Sequence, residues 1–493
     1  MKLDIKRTIW IGLAFFGILL VWQLYNSYCS PMLSLLFAKH DYAAQVAEGA
    51  AQGFVTMKDL LKEKFITSDD YLDIQWKVGI IMALDNIAAL FIMPIFGGLS
   101  DKTKSKLGKR MPYILVGSVI TAIALPFIPL FFSKGMANSE GAILGFIIGM
   151  IVTMVIIIVF MMSYRSPAVA LMPDLTPKPL RSKANGIINV VGYVGGAVGA
   201  VFAMVIPVTK YFDGSNKSLF MLEIPFLVCS VFLLISLALL LMKVKENKLH
   251  EELDAELAKY EDLGESAEAI TTTEKMSKSN IRNLALILVA EVFWFMSLNA
   301  IETFQTNYFM FYLDTSSSGG AAMTLLSGAA SVAGFLIAGV IADKLGRKWT
   351  IFIGICVVTL GYVIYSLIPG RVTDGSSLTF EQKLPWLFFV LMPIIGFATS
   401  LIHICSFPLV TDYCTVDKLG KFTSLYYTAS MLAQSVTPIL IGLIFRATGW
   451  NALPIYSAIL MGIAGLVFFF VKAPRRGDKA SNARGFEALG AED

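Results

Sequence analysis

Long apolar runs alternate with short polar ones along the whole chain. A membrane-spanning helix needs about 20 apolar residues, at about 1.5 Å per residue across a hydrocarbon core of about 30 Å. Runs of that kind lie near residues 9–36, 78–99, 112–132, 142–164, 185–207 and 220–242, and again near 284–312, 321–342, 349–369, 385–409, 422–445 and 452–471. Gly and Ser dilute the fifth and the eleventh. The pattern predicts an all-α polytopic membrane protein with twelve transmembrane helices in two six-helix bundles, 1–242 and 284–471. A linker over 243–283 joins them and a tail over 472–493 follows. The first apolar run continues from Thr8 to about Leu36, well beyond the apolar stretch of a secretory signal, and is read as the first span.

Lys and Arg concentrate in alternate loops, on the side that holds both termini. That asymmetry predicts cytoplasmic termini in a multi-pass protein of the cell (plasma) membrane. Trp10, Trp76, Trp349, Trp386 and Trp450 fall near span ends, as an interfacial belt requires, whereas Trp22 and Trp294 fall inside spans. The linker is rich in Glu, Lys and Ala at helical spacing, and is expected to be a solvated tether. A long loop over 40–76 contains an amphipathic stretch around 57–65, expected to pack on the outer surface.

Composition narrows the class. Apolar residues make up 56 % and charged residues 15 %, against about 45–50 % and about 25 % in soluble domains. A soluble enzyme is excluded. A formal charge of +4 is too small for nucleic-acid binding. The five cysteines (29, 229, 356, 405, 414) form no CxxC, and with histidines at 40, 250 and 403 they offer no zinc spacing. No metal and no cofactor is expected, and nothing points to an oligomer, so a monomer is.

The two halves share a repeat. Gly97-Gly98-Leu99-Ser100-Asp101-Lys102 and Gly108-Lys109-Arg110 follow the second span; Gly339-Val340-Ile341-Ala342-Asp343-Lys344 and Gly346-Arg347-Lys348 follow the eighth, 242 residues on. Glycine permits close helix approach and a tight turn, each Asp is expected to accept from a neighbouring helix N-terminus, and the basic cluster holds the loop on one side.

These loops resemble the signature of the major facilitator superfamily. The longer first copy, Pro94 to Pro112, is similar to that of the glycoside–pentoside–hexuronide:cation symporters and the bacterial relatives of sucrose–proton symporters. So are Arg165-Ser166-Pro167 with Ala170 to Thr176, and Phe293-Trp294-Phe295 with Ala300 to Phe304. The resemblance implies import of a sugar together with a cation. Sodium-using members carry two aspartates four apart on the second helix, and the matching positions here are Ala89 and Met93. A proton is therefore the expected coupling ion.

An ionisable group near the bilayer centre costs at least about 2.5–3.5 kcal/mol, so it faces a cavity or a partner. Asp85, Glu291 and Glu302 are the candidates for proton coupling, and Arg165 for pairing with a carboxylate or with sugar hydroxyls. Glu291 and Glu302 are eleven residues apart, which at about 100° per residue puts them on one face with Phe295, Leu298 and Gln305. Trp22, Tyr25, Asn26 and Cys29 form one stripe on the first span. Sugar recognition needs flat apolar faces and convergent polar groups, and Trp22, Tyr25, Asn26, Asn86, Arg165, Trp294, Asn299 and Gln305 are the expected substrate-binding residues. The leading expectation is a proton-coupled importer of a glucoside or disaccharide that works by alternating access. The alternatives are a proton-coupled exporter of drugs or metabolites, whose cavity would hold fewer amides, and a non-transporting receptor.

Overall fold

The computed structural model describes residues 3–138, 142–177, 180–210, 220–261, 277–372, 378–380, 382–413 and 419–472. The tail beyond Lys472, the second part of the linker and Cys414 lie outside them. With no water in the hydrocarbon core, each span must satisfy its backbone groups internally, and helices do so. In the first half these are α1 (Ile5–Asp41), two short helices α2 (Ala43–Ala51) and α3 (Met57–Lys62), α4 (Ser68–Lys102), α5 (Met111–Ala124), α6 (Phe127–Ala137), α7 (Ile143–Asp174), α8 (Arg181–Val205) and α9 (Glu223–Lys243). The linker contributes α10 (Glu246–Glu261). The second half contains α11 (Lys278–Phe311), α12 (Ser317–Leu345), α13 (Arg347–Ser366), α14 (Leu387–Tyr413), α15 (Leu419–Thr448) and α16 (Ala452–Phe469).

Among the described residues, 11 helical segments are long and apolar enough to cross a membrane. The eighth span is α12, a helix of 29 residues rich in Gly, Ala and Ser. The fifth and eleventh spans, diluted by Gly and Ser, are among the 11. The helices outrun their apolar runs because caps and loops extend them. Thr67 and Asp70 form a capping box that starts α4 ten residues before the apolar run. The third span is split into α5 and α6 around Leu125-Pro126.

Six spans pack into each bundle, through α1–α8, α4–α7 and α5–α7 in the first and α12–α14, α11–α16 and α13–α14 in the second. The bundles meet mainly along α4–α15 and α8–α12. On α4 a Cβ at Gly79 would lie 2.1 Å from the Pro438 carbonyl oxygen, and on α15 a Cβ at Gly442 would lie 2.8 Å from that of Gln75. Glycine is required there for backbone to touch backbone. These contacts lie on the half of the molecule opposite the chain termini.

The face opposite the termini carries α2 and α3, with Met57, Leu60 and Leu61 of α3 buried. Beneath them the buried Lys39 ammonium donates to the carbonyl oxygens of Gly135 (3.2 Å), Met136 (2.7 Å) and Asn138 (2.7 Å), which closes the C-terminus of α6.

On the termini face two expectations are corrected. The start of the linker is docked rather than a solvated tether. Glu246 is 3 % exposed, and its carboxylate accepts from the backbone N–H groups of Lys109, Arg110 and Met111, each at 3.0 Å. It thereby supplies the anion that the N-terminus of α5 needs. Asn247 Nδ2 donates to the carbonyls of Ser105 (3.1 Å) and Lys106 (3.2 Å), and Leu253 is buried.

Asp101, in turn, does not serve that N-terminus, because Glu246 occupies it. Asp101 accepts from the Arg110 guanidinium, which also donates to Asp174 at the end of α7 (2.9 Å). Lys109 pairs with Asp174 as well (3.2 Å). The second half repeats the clasp: Arg347 at the start of α13 pairs with Asp412 near the end of α14. The side chain of Asp343 lies outside the described residues. Gly97 sits under Ser166, whose Oγ would lie 2.8 Å from an added Cβ, whereas Gly339 faces open space. Gly108 (φ 116°) and Gly346 (φ 84°) hold left-handed turns, and a Cβ at Gly108 would strike Glu246 at 2.1 Å.

Candidate functional site

A cavity of about 520 Å³ opens between the bundles, lined from α1, α8, α11, α12, α13 and α14. Small residues let these helices diverge and meet. Gly195 on α8 would place a Cβ 2.2 Å from the Phe16 carbonyl oxygen, so α8 lies directly against α1. Polar groups converge on the cavity from both bundles: Gln23 and Asn26 on α1, Tyr193 on α8, Glu302 and Gln305 on α11, and Thr324 on α12.

Glu302 is the centre. It lies deep within the protein yet is exposed, because the cavity reaches it. Its Oε1 accepts from Trp22 Nε1 (3.1 Å) and Asn26 Nδ2 (2.9 Å). Both donors stand on α1, so a carboxylate of the second bundle is held by the first. The Arg165 guanidinium carbon lies 5.4 Å from the Trp22 ring centroid, a cation–π contact. Arg165 interacts electrostatically with both Asp85 and Glu302, and those two carboxylates with each other.

Asp85 is 3 % exposed. Its Oδ1 accepts from the backbone N–H (2.5 Å) and the side-chain Nδ2 (2.7 Å) of Asn86. Asp85, Arg165 and Glu302 make a group of two acids and one guanidinium, one formal negative charge in excess when both acids are ionised. A single proton neutralises it. At the low effective dielectric of such a site that change is felt strongly.

Several expected residues take other places. Trp294 is fully buried, tilted against Phe295 (6.4 Å between centroids) and edge-on to Phe468 of α16 (6.2 Å). It is packing rather than cavity wall, because it lies about two turns from Glu302 toward the start of α11, where α16 covers it. Asn299 is buried outside the lining, with Oδ1 unpartnered among the described residues. Tyr25 is buried, stacks on Trp22 (6.4 Å) and faces Asp85, so it supports the charged group from behind. Asn86 likewise serves Asp85 and does not line the cavity. Glu291 shares the face of Glu302 but lies away from the lining.

The sequence reading missed Gln23, Tyr193, Thr324, Ser327, Ser331 and Thr399, all of which line the cavity. The signal for those on α12 was the Ser327-Gly328-Ala329-Ala330-Ser331 stretch that weakens its apolarity.

On the side opposite the termini the bundles are hydrogen-bonded shut. Asn307 Nδ2 on α11 donates to Ser30 Oγ (3.0 Å), Ser34 Oγ (3.0 Å) and Gln75 Oε1 (2.9 Å). Ser68 Oγ donates to the Phe311 carbonyl (2.6 Å), Trp450 Nε1 donates to Ser68 Oγ (3.1 Å), and Thr209 meets Ser316 (2.7 Å).

Comparison with known proteins agrees with this architecture. A sequence model of the Major Facilitator Superfamily matches residues 54–379 and 307–491. The chain is 33 % identical over 90 residues to a sucrose transport protein, SUT5, of Oryza sativa subsp. indica, a stretch covering 18 % of this chain and 16 % of that protein. It is 28 % identical over 172 residues to sucrose transport protein SUT3 of the same subspecies, covering 31 % and 33 %. The chain thus spans a third or less of these relatives. Among solved structures, a D-xylose–proton symporter superposes with a TM-score of 0.62 at 14 % identity, covering 95 % of this chain and 98 % of that one. The inward-open xylose transporter XylE of E. coli gives 0.60 at 13 %, covering 98 % and 99 %. The nucleoside transporter NupG gives 0.54 at 12 %, covering 95 % and 100 %. The chain belongs to the Major Facilitator Superfamily, a family of membrane transporters and not of enzymes.

Proposed function

We propose that this member of the superfamily imports a sugar, a glucoside or disaccharide, together with a proton by alternating access. It works as a monomer in the plasma membrane with both termini in the cytoplasm, so the hydrogen-bonded closure lies on the outer side. The observation that carries the reading is Glu302: a cavity-facing carboxyl on one bundle, hydrogen-bonded by Trp22 and Asn26 of the other and sharing Arg165 with Asp85.

Protonation of the Asp85–Arg165–Glu302 group removes its excess charge and lets its surroundings close over it. A protonated Glu302 is a donor as well as an acceptor, so its bonds to Trp22 and Asn26 weaken and Asn26 is freed toward substrate. The sugar ring lies against the apolar lining of Val194, Leu298 and Ile301, and its hydroxyls find Gln23, Asn26, Tyr193 and Gln305. Proton and sugar then favour the same closed form, which links their movement. The amides and hydroxyls of the lining favour import of a hydroxylated solute over export of an apolar one.

The test is uptake into sealed proteoliposomes. An inward proton gradient is expected to drive accumulation of a labelled α-glucoside with protons entering alongside. Accumulation that follows sodium and ignores pH overturns the proton assignment.

A further inference from the structure

One turn before Trp294, Glu291 is a third intramembrane carboxyl, which the coupling step above does not use. It is fully buried, and neither of its oxygens meets a hydrogen-bond donor among the described residues. No lysine, arginine or histidine pairs with it there. An ionised carboxylate in that position bears a large desolvation penalty with nothing to offset it, whereas a carboxylic acid merely lacks a partner.

Two tyrosines face it, and residues of two further helices pack on those tyrosines or on its helix neighbours. From α15, Tyr426 and Tyr427 lie within electrostatic range. From α14, Ser406 engages the Tyr426 hydroxyl (2.7 Å), and His403 lies against Phe295, 5.5 Å between ring centroids. From α16, Phe468 packs edge-on against Trp294. Tyr427 differs from the rest. It is 54 % exposed and interacts electrostatically with Glu291 on one side and Arg165 on the other. It is therefore within range of both the Asp85–Arg165–Glu302 group and the buried acid.

We propose that Glu291 is a second proton-carrying site on the termini-side half of α11, which receives the proton leaving the central group by way of the Tyr427 hydroxyl and gives one up toward the termini face. One proton arrives on the carboxylate for each that departs, and no other bond changes. The proposal rests on the transport reading only for the direction of travel; the proton itself is independent of any substrate.

The test combines two measurements on the full-length protein in lipid. In infrared difference spectra after a pH jump, wild type is expected to show a buried carboxylic-acid carbonyl band that Glu291→Gln lacks and that Asp85→Asn and Glu302→Gln retain. In proteoliposomes, Glu291→Gln is expected to keep sugar exchange while gradient-driven accumulation slows about a hundredfold, the scale of a lost positioned proton-transfer group. Tyr427→Phe is expected to keep the band and slow its response to the jump. A band unchanged in Glu291→Gln, or wild-type accumulation in that variant, overturns the proposal. Should Glu291→Gln fail to fold, an unslowed response in Tyr427→Phe overturns it equally. Failure of wild type to accumulate sugar, with the band assignment intact, sinks the transport reading alone.

Discussion

The indole N–H of Trp22 donates to Oε1 of Glu302 at 3.1 Å, and the same ring lies against the Arg165 guanidinium. One side chain of the first bundle thus touches the acid of the second and the cation of its own. Motion of either bundle alters the field at both ionisable groups, and a change of charge there acts back on the interface.

Glu302→Gln keeps the shape and the acceptor but cannot release a proton. Gradient-driven sugar accumulation is expected to fall by about a hundredfold or more, while exchange of labelled for unlabelled sugar continues. Paired uptake and counterflow assays on the same proteoliposomes separate the two.

Trp22→Phe keeps a ring near Arg165 and deletes the donor. A hydrogen bond to a charged group contributes about 1.5–3 kcal/mol, so sugar-dependent proton uptake is expected to drop roughly ten- to hundredfold. Trp22→Leu removes the cation–π contact as well, a further loss of about 0.5–2 kcal/mol. Comparing the two variants by proton flux at fixed sugar concentration isolates the ring from the N–H.

Asn307 is the donor to three acceptors that cross or flank the interface, at 2.9–3.0 Å. Asn307→Leu removes all three bonds and takes the donor from Gln75 Oε1 and Ser30 Oγ, at a cost of about 1–3 kcal/mol for each group left unsatisfied, while Ser34 Oγ keeps Gln75 Nε2 and the Ser30 carbonyl. The closed side is expected to open more often. A cysteine at Ser30, in a background freed of native cysteines, should then react faster with an impermeant thiol reagent added from the side opposite the termini. An unchanged labelling rate counts against Asn307 as a closing contact.

Glu246→Ala is expected to lower thermal stability by the loss of a helix cap, about 0.5–2 kcal/mol. Gly108→Ala should be worse, because it combines a left-handed φ of 116° with a Cβ placed 2.1 Å from the Glu246 carboxylate. The two are coupled. In the Glu246→Ala background the clash with the carboxylate disappears, while the 2.6 Å approach to the Cβ of residue 246 and the strain remain, so the double variant is expected to be more stable than the sum of the singles implies. Melting of the four proteins in detergent measures the coupling.

Much of this is legible along the chain. Apolar run length sets the spans, since the bilayer admits only segments that satisfy their own backbone. The repeat after the second and eighth spans marks two equivalent halves. The cost of intramembrane charge singles out Asp85, Arg165 and Glu302, which the fold then groups electrostatically. Helical periodicity also puts Trp22 and Asn26 on one stripe, and both donate to Glu302.

Other features depend on which helix lies beside which. Trp294 and Tyr193 are both aromatic residues inside spans, yet one is sealed against Phe468 and the other faces the cavity. Position in the loop makes Asp101 the expected helix cap, but Glu246 reaches that N-terminus from more than a hundred residues away. The closure through Asn307 joins side chains 232–277 positions apart. Local sequence therefore determined which segments are buried in lipid and which side chains are too polar to be there without a purpose. Only the tertiary structure decided their partners, because a helix presents several faces of similar polarity and the choice among them is made by packing against residues distant in the chain.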